Sequence, residues 1–273
     1  ANTANGLSIF QAVGATTPDL YYFTKTTIGK WDLTSSHPSG WTDEWSSSLT
    51  STQHHPSHFF NGAVYFGNGD TLGKIYTVSG AAATSYAALS FPSDFVTTCI
   101  DDDGDYLVAG ITKNLGDNTI AGDTRVIFWD TLSANFNKEW SIPDFSINAI
   151  KKFENGLIAF CGRAIYYFNS ATKPVKIKNL GVANAVGYGY PNAADVFNDS
   201  VIWGGGLGTD GYLSIYGKVI PEMKRSYFQP FAGISGTQSF VESNTKVNRI
   251  YVGTTTPKLY SFTLSSSGGT TTT

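Results

Sequence analysis

His58-Phe-Phe-Asn-Gly-Ala-Val-Tyr-Phe66 is two short apolar runs on either side of Asn61-Gly62. Asn-Gly between such runs is the strongest short-range hairpin sign, because both central residues of a tight hairpin turn take positive φ. Lys74 to Val78 then supplies a third strand and Tyr86 to Phe91 a fourth, so the stretch reads as a four-stranded meander. The same turn chemistry returns at Asp103-Gly104, Asn155-Gly156 and Asn198-Asp199, and as a longer turn at Glu242 to Asn248.

An aromatic-rich strand recurs in phase with these turns. Its six copies end in Trp31, Tyr76, Trp129, Phe168, Tyr216 and Phe262, with successive spacings of 45, 53, 39, 48 and 46 residues. A repeat of about 45 residues carrying four strands is the mark of a β-propeller blade. The sequence therefore predicts an all-β chain: a six-bladed β-propeller of mostly four-stranded antiparallel blades. Residues 1–264 read as one propeller domain. Residues 265–273 read as a Ser/Gly/Thr-rich tail or linker, because their composition is that of a flexible chain. The second strands (Leu20–Thr24, Ala63–Phe66, Tyr106–Gly110, Leu157–Cys161, Val201–Gly204 and Arg249–Gly253) end at or just before a glycine in five cases. The sixth repeat has no outer strand before the tail, which leaves the closing of its sheet open.

Trp31-Asp32 and Trp129-Asp130 stand at the end of the third strand of their repeats. Blades so marked resemble WD40-like propellers, although only two repeats have the pair and no Gly-His partner accompanies it. Asp105 to Gly110 followed by Arg125 to Asp130, and Ile150 to Phe168, are also similar in strand texture to propeller-type structural proteins of tailed phages. That resemblance implies a fibre, tail or decoration role on a virion, with no catalytic residues to carry over.

Composition narrows the function classes. The 18 Lys and Arg are scattered against 21 Asp and Glu, giving a net charge of −3. Phosphate binding needs clustered cations, so nucleic acid is excluded as a partner. No stretch reaches the roughly 20 apolar residues of a membrane span. The two cysteines, Cys99 and Cys161, each sit in an apolar strand and read as buried thiols.

Catalytic patterns are missing one by one. Gly204 to Gly208 lacks the Lys-Ser/Thr ending of a P-loop, and no Gly-x-Ser-x-Gly occurs. The four arginines, Arg125, Arg163, Arg225 and Arg249, fall in different repeats. A propeller hydrolase needs convergent carboxylates, and none is apparent. For metals, the candidates are His54, His55 and His58, since imidazole suits Zn, Cu and Ni. Pro56 opposes a helical His-x-x-x-His arrangement, so a loop with hydrogen-bonded histidines is preferred and no metal or cofactor is expected. Asp101-Asp-Asp-Gly-Asp105 has its glycine in the wrong place for an EF-hand loop and reads as a tight turn.

Three classes of function fit, in this order. The first is a non-enzymatic structural or adhesive protein of a virion or extracellular assembly, a scaffold for protein partners or for further copies of itself. The second is a secreted, lectin-like propeller. Its stacking platforms would be Tyr188 and Tyr190 in Gly187-Tyr-Gly-Tyr-Pro191, with Trp203 and Trp41. The third is a glycoside hydrolase.

Overall fold

The computed structural model describes residues 6–10, 19–24, 26–33, 41–46, 49, 55–76, 83–113, 123–144, 146–179, 194–197, 200–205, 212–217, 227–230, 238–254, 259–264 and 270–272. Every strand among them belongs to one of six four-stranded antiparallel sheets, each an uninterrupted meander. Sheet 1 is β1 (Gly6–Phe10), β2 (Asp19–Phe23), β3 (Ile28–Trp31) and β4 (Trp41–Ser46). Sheet 2 is β5 (Ser57–Phe60), β6 (Ala63–Asn68), β7 (Thr71–Ile75) and β8 (Thr84–Ser90). Sheet 3 is β9 (Phe95–Asp102), β10 (Leu107–Lys113), β11 (Thr124–Trp129) and β12 (Lys138–Ile142). Sheet 4 is β13 (Ile147–Phe153), β14 (Gly156–Cys161), β15 (Ala164–Phe168) and β16 (Val175–Asn179). Sheet 5 is β17 (Ala194–Phe197), β18 (Ser200–Gly205), β19 (Tyr212–Gly217) and β20 (Tyr227–Pro230). Sheet 6 is β21 (Gln238–Asn244), β22 (Arg249–Thr254), β23 (Leu259–Leu264) and β24 (Thr270–Thr272).

The chain divides into two compact units, Ala1–Pro143 and Asp144–Thr273, with three sheets each. Within the first unit, β1 packs beside β5 and β5 beside β9. Within the second, β13 packs beside β17 and β17 beside β21. The first strands are thus the mutual neighbours, as at the narrow end of propeller blades.

Between adjacent sheets lie apolar seams. Tyr21, Phe23 and Ile28 meet Val64, Phe66 and Ile75. Tyr65 and Leu72 meet Ile100, Ala109 and Trp129, with the Tyr65 and Trp129 rings edge to face at 5.6 Å. In the second unit Phe153, Ile158 and Phe160 meet Val201 and Trp203. Burying one such side chain contributes about 1.5–3 kcal/mol, so the seams are the main cohesion of each unit. Cys99 and Cys161 are buried, and neither is in a disulfide.

Three local readings of the sequence need correction. The third strand of sheet 2 is Thr71–Ile75, earlier than Lys74 to Val78, because Gly69-Asp70 forms a two-residue turn with Asn68 paired to Thr71 and Gly69 at φ 65°. Val64 therefore pairs with Ile75, and Tyr76 lies past the strand, half exposed. In sheet 4 the turn is Glu154-Asn155, not Asn155-Gly156, since Phe153 pairs with Gly156 and Glu154 takes the positive φ of 54°. Gly156 is there for space: a Cβ on it would stand 2.6 Å from the Phe168 carbonyl oxygen. Lastly, the tail supplies the outer strand that sheet 6 lacked in the sequence. Thr270, Thr271 and Thr272 pair with Leu264, Thr263 and Phe262. Threonine is β-branched and favours strands, a preference that the Ser/Gly neighbours concealed.

Candidate functional site

The ladders place one residue of each first strand at a common register, opposite a second-strand residue whose third-strand partner comes one place before Trp31, Ile75, Trp129, Phe168, Tyr216 or Phe262. These residues are Ser8 (facing Tyr21), His58 (Tyr65), Asp101 (Val108), Lys151 (Ile158), Asp195 (Ile202) and Glu242 (Tyr251). All six are polar, and five are titratable. Nothing about packing demands this, since the neighbouring second-strand residues are apolar. The sequence reading did not find the set. Its signal was a polar residue two or three places before every first turn, visible only once the turns are correctly placed.

In the first unit, His58 Nε2 donates to Asp102 Oδ2 at 2.7 Å and lies 3.8 Å from Asp101 Oδ1. One oxygen of each carboxylate and the imidazole nitrogen lie within 4.8 Å of one another. Asp101 Oδ1 also accepts the Asp102 backbone N–H at 2.8 Å, which fixes that carboxylate. The Asp101–Asp105 run thus splits into two tasks. Asp101 and Asp102 face His58, while Asp103 Oδ1 accepts the N–H groups of Asp105 and Tyr106 and forms the tight turn the sequence suggested.

In the second unit, Lys151 Nζ stands 3.9 Å from Asp195 Oδ1, and Asp195 Oδ2 accepts the Ser243 N–H at 2.6 Å. Ser243 Oγ donates to the Val196 carbonyl, tying β21 to β17. Desolvation, then the Asp195 charge, push the Glu242 carboxyl above its ordinary pKa, and Lys151 opposes them.

A third polar group sits where β10 and β11 diverge, at the base of the loop that joins them. Lys113 pairs with Asp94 at 2.8 Å. Arg125 pairs with Asp123 and Glu139 at 3.0 and 3.2 Å and lies 4.6 Å above the Phe95 ring. The Lys113 hydrogen bond lowers the Asp94 pKa, and the Arg125 hydrogen bond lowers that of Asp123. The loop itself, residues 114–122, lies outside the described residues.

His55 is fully buried and its Nδ1–H donates to the Gly67 carbonyl at 2.8 Å, so it holds β5 to β6 rather than joining His58. His54, Tyr188 and Tyr190 lie outside the described residues. Trp41 is in β4, its backbone opposite Trp31. Trp203, expected as an exposed stacking platform, is 1% exposed with its ring 5.6 Å from Phe160. It fills the seam between sheets 4 and 5, which a wedge of this width needs a large residue to fill.

The Trp129-Asp130 pair has a local explanation. Asp130 accepts the N–H groups of Leu132 and Ser133, the Ser133 hydroxyl and the Asn137 amide, all at 2.8–2.9 Å. In sheet 4, Asn169 follows Phe168 and accepts the N–H groups of Ala171 and Thr172. The residue after the closing aromatic caps the next turn in both sheets.

No protein-family model matches the chain, and neither does the sequence of any curated protein. Solved structures do match. A chain of the mitotic checkpoint complex aligns at 12% identity and TM-score 0.64, over 95% of this chain and 77% of that one. The Cps50 (Swd1) β-propeller domain of Myceliophteria thermophila aligns at 13% and 0.62, over 93% and 81%. The computationally designed protein Ika8 aligns at 12% and 0.56, over 96% and 71%. With the four-stranded meanders and their adjoining first strands, these likenesses define the fold class: an all-β chain of the β-propeller type. Identities this low speak for the fold alone.

Proposed function

We propose that the chain is a non-enzymatic scaffold, a structural or adhesive protein of a virion or extracellular assembly whose partners are proteins, including further copies of itself. The observation that carries this reading is the outer strand of sheet 4. Among the described residues β16 is an edge strand, paired with β15, and it exposes Val175 at 57% and Ile177 at 36%. An edge that leaves both its backbone and apolar side chains uncovered invites pairing unless a partner occupies it. Lys176, exposed between them, discourages indiscriminate association, while Lys178 lies over the Trp203 ring. Leu132, 91% exposed on the turn that Asp130 holds rigid, is a second pre-ordered apolar contact. The propeller chain seen in the mitotic checkpoint complex is consistent with such a role for the fold. The virion or extracellular setting rests on the resemblance to tailed-phage propellers. Among the described residues no helix is long and apolar enough to cross a membrane.

The test is association. Light scattering and cross-linking of the purified chain, and its recovery with native particles, should show a regular multimer or incorporation. Val175→Asp with Ile177→Asp should abolish it while leaving the circular dichroism spectrum unchanged. A lectin instead predicts saturable binding on a glycan array, lost on Tyr188→Ala or Tyr190→Ala. A hydrolase predicts turnover of glycosides. Either outcome, with a monomer throughout, overturns the scaffold reading.

A further inference from the structure

We propose that His58, Asp101 and Asp102 form a binding site for one divalent first-row transition ion, of which Zn²⁺ and Co²⁺ are the probes. The residues come from the first strands of sheets 2 and 3, and His58 lies more than forty positions from the adjacent Asp101 and Asp102, so the packing of β5 beside β9 brings them together. Their donor set is one imidazole nitrogen and two carboxylate oxygens. Imidazole with carboxylate suits Zn²⁺, Mn²⁺ and Co²⁺, whereas Ca²⁺ and Mg²⁺ prefer oxygen alone.

Spacing agrees with the chemistry. Ligands about 2.1 Å from an ion stand roughly 3.0 Å apart at right angles and roughly 3.4 Å apart in a tetrahedron. The imidazole Nε2 is 2.7 Å from one carboxylate oxygen and 3.8 Å from the other, which brackets those values. Small side-chain rotations bring all three onto one ion. The hydrogen bond from the Asp102 N–H holds the Asp101 carboxylate in place, the kind of support that orients a metal ligand. Exposures of 28%, 13% and 23% leave room for a hydrated ion to enter while removing part of the water that would compete.

The second unit supplies an internal comparison. At the same register, its carboxylates Asp195 and Glu242 have the Lys151 ammonium beside them. There the cation is built into the chain and cannot ligate a metal. In the first unit the corresponding neighbour is an imidazole, which ligates as its neutral form. On binding, the Nε2 proton now shared with Asp102 gives way to the ion, and the ring takes its Nδ1–H tautomer.

The experiment is titration of the tag-free full chain, stripped with chelator, with Zn²⁺ by calorimetry and with Co²⁺ by visible absorption. One ion per chain should bind, with Co²⁺ d–d bands of an N/O site. Asp102→Asn and His58→Gln, both near-isosteric, should each weaken binding by more than about tenfold. His54→Ala should leave it unchanged, and Ca²⁺ should not compete. Absence of saturable binding, or binding that survives His58→Gln in a folded protein, overturns the proposal. So does loss on His54→Ala alone. Circular dichroism of each variant separates loss of the site from loss of the fold.

Discussion

The Phe66 ring lies across the backbone of its cross-strand partner Gly73, so closely that a Cβ on the glycine would stand 2.1 Å from the ring. Tyr22 and Gly29 do the same at the equivalent place in sheet 1. The same pair of positions is Ala109/Ile127, Ala159/Tyr166, Trp203/Ser214 and Val252/Tyr260 in the other sheets. In five of the sheets one partner is Gly, Ala or Ser and the other is larger, and which strand carries the bulk varies; sheet 6 has Val252 opposite Tyr260. In sheet 2 the Phe66 ring occupies the space that a side chain on Gly73 would need, as close packing of interiors allows.

Gly73→Ala should therefore destabilise the protein by about 1–3 kcal/mol through overpacking, read from denaturant midpoints. Phe66→Ala combined with Gly73→Ile recreates the Ala109/Ile127 arrangement of sheet 3. The double variant should be more stable than the sum of its two single changes by about 1 kcal/mol or more. Strict additivity would mean that the two positions do not share one space.

Asp130 should act on its turn and not on the fold at large. Four hydrogen bonds stabilise its charged form, the Ser133 N–H first, and hold its carboxyl well below the usual carboxylate range. A depressed folded-state pKa gives a contribution present above the unfolded-state value of about 3.9 and lost as pH falls towards the folded one. Asp130→Ala should speed amide exchange at Leu132 and Ser133 at neutral pH, with the global midpoint little changed. In the parent protein the same acceleration should appear only under strong acid. Unaltered exchange at those two amides would show that the turn does not depend on Asp130.

The strand order was legible because turn chemistry and aromatic spacing repeat in phase. His58 to Phe66 alone gave β5, its turn and most of β6. Legibility failed where one residue had two physical uses. Gly156 read as a turn glycine although its service is close approach to Phe168, and Tyr76 read as a strand aromatic because it falls one place after Ile75. Trp203 read as surface because aromatic composition cannot tell a stacking platform from a seam filler. The His58–Asp101–Asp102 group was hidden for another reason. Its two halves were each noticed and weighed alone, and nothing in a linear sequence says that β5 packs beside β9.

Trp203 gives a direct test of that ambiguity. As a seam residue packed on Phe160 and Val201, it should cost about 3–5 kcal/mol on substitution by alanine. Urea denaturation should show the loss with the unfolding slope unchanged. A glycan platform would behave in the opposite way, losing ligand affinity while keeping stability.

The pH dependence that Glu242 confers is opposite in sign to that of Asp130. Its folded-state pKa is raised, chiefly by desolvation and secondarily by Asp195. Between the unfolded and folded values the native state binds more protons, so stability falls as pH rises through that window. Glu242→Gln should raise the melting temperature at pH 7 and leave it unchanged well below pH 4, where the parent carboxyl is already neutral. Lys151→Met should push the Glu242 pKa higher still, because the ammonium opposes the shift. The window in which stability falls would then widen towards neutral pH. Titration of the Glu242 carboxyl by NMR in the parent and Lys151→Met proteins checks the order directly. A lower value in the variant would show that Lys151 does not act on Glu242 through its charge.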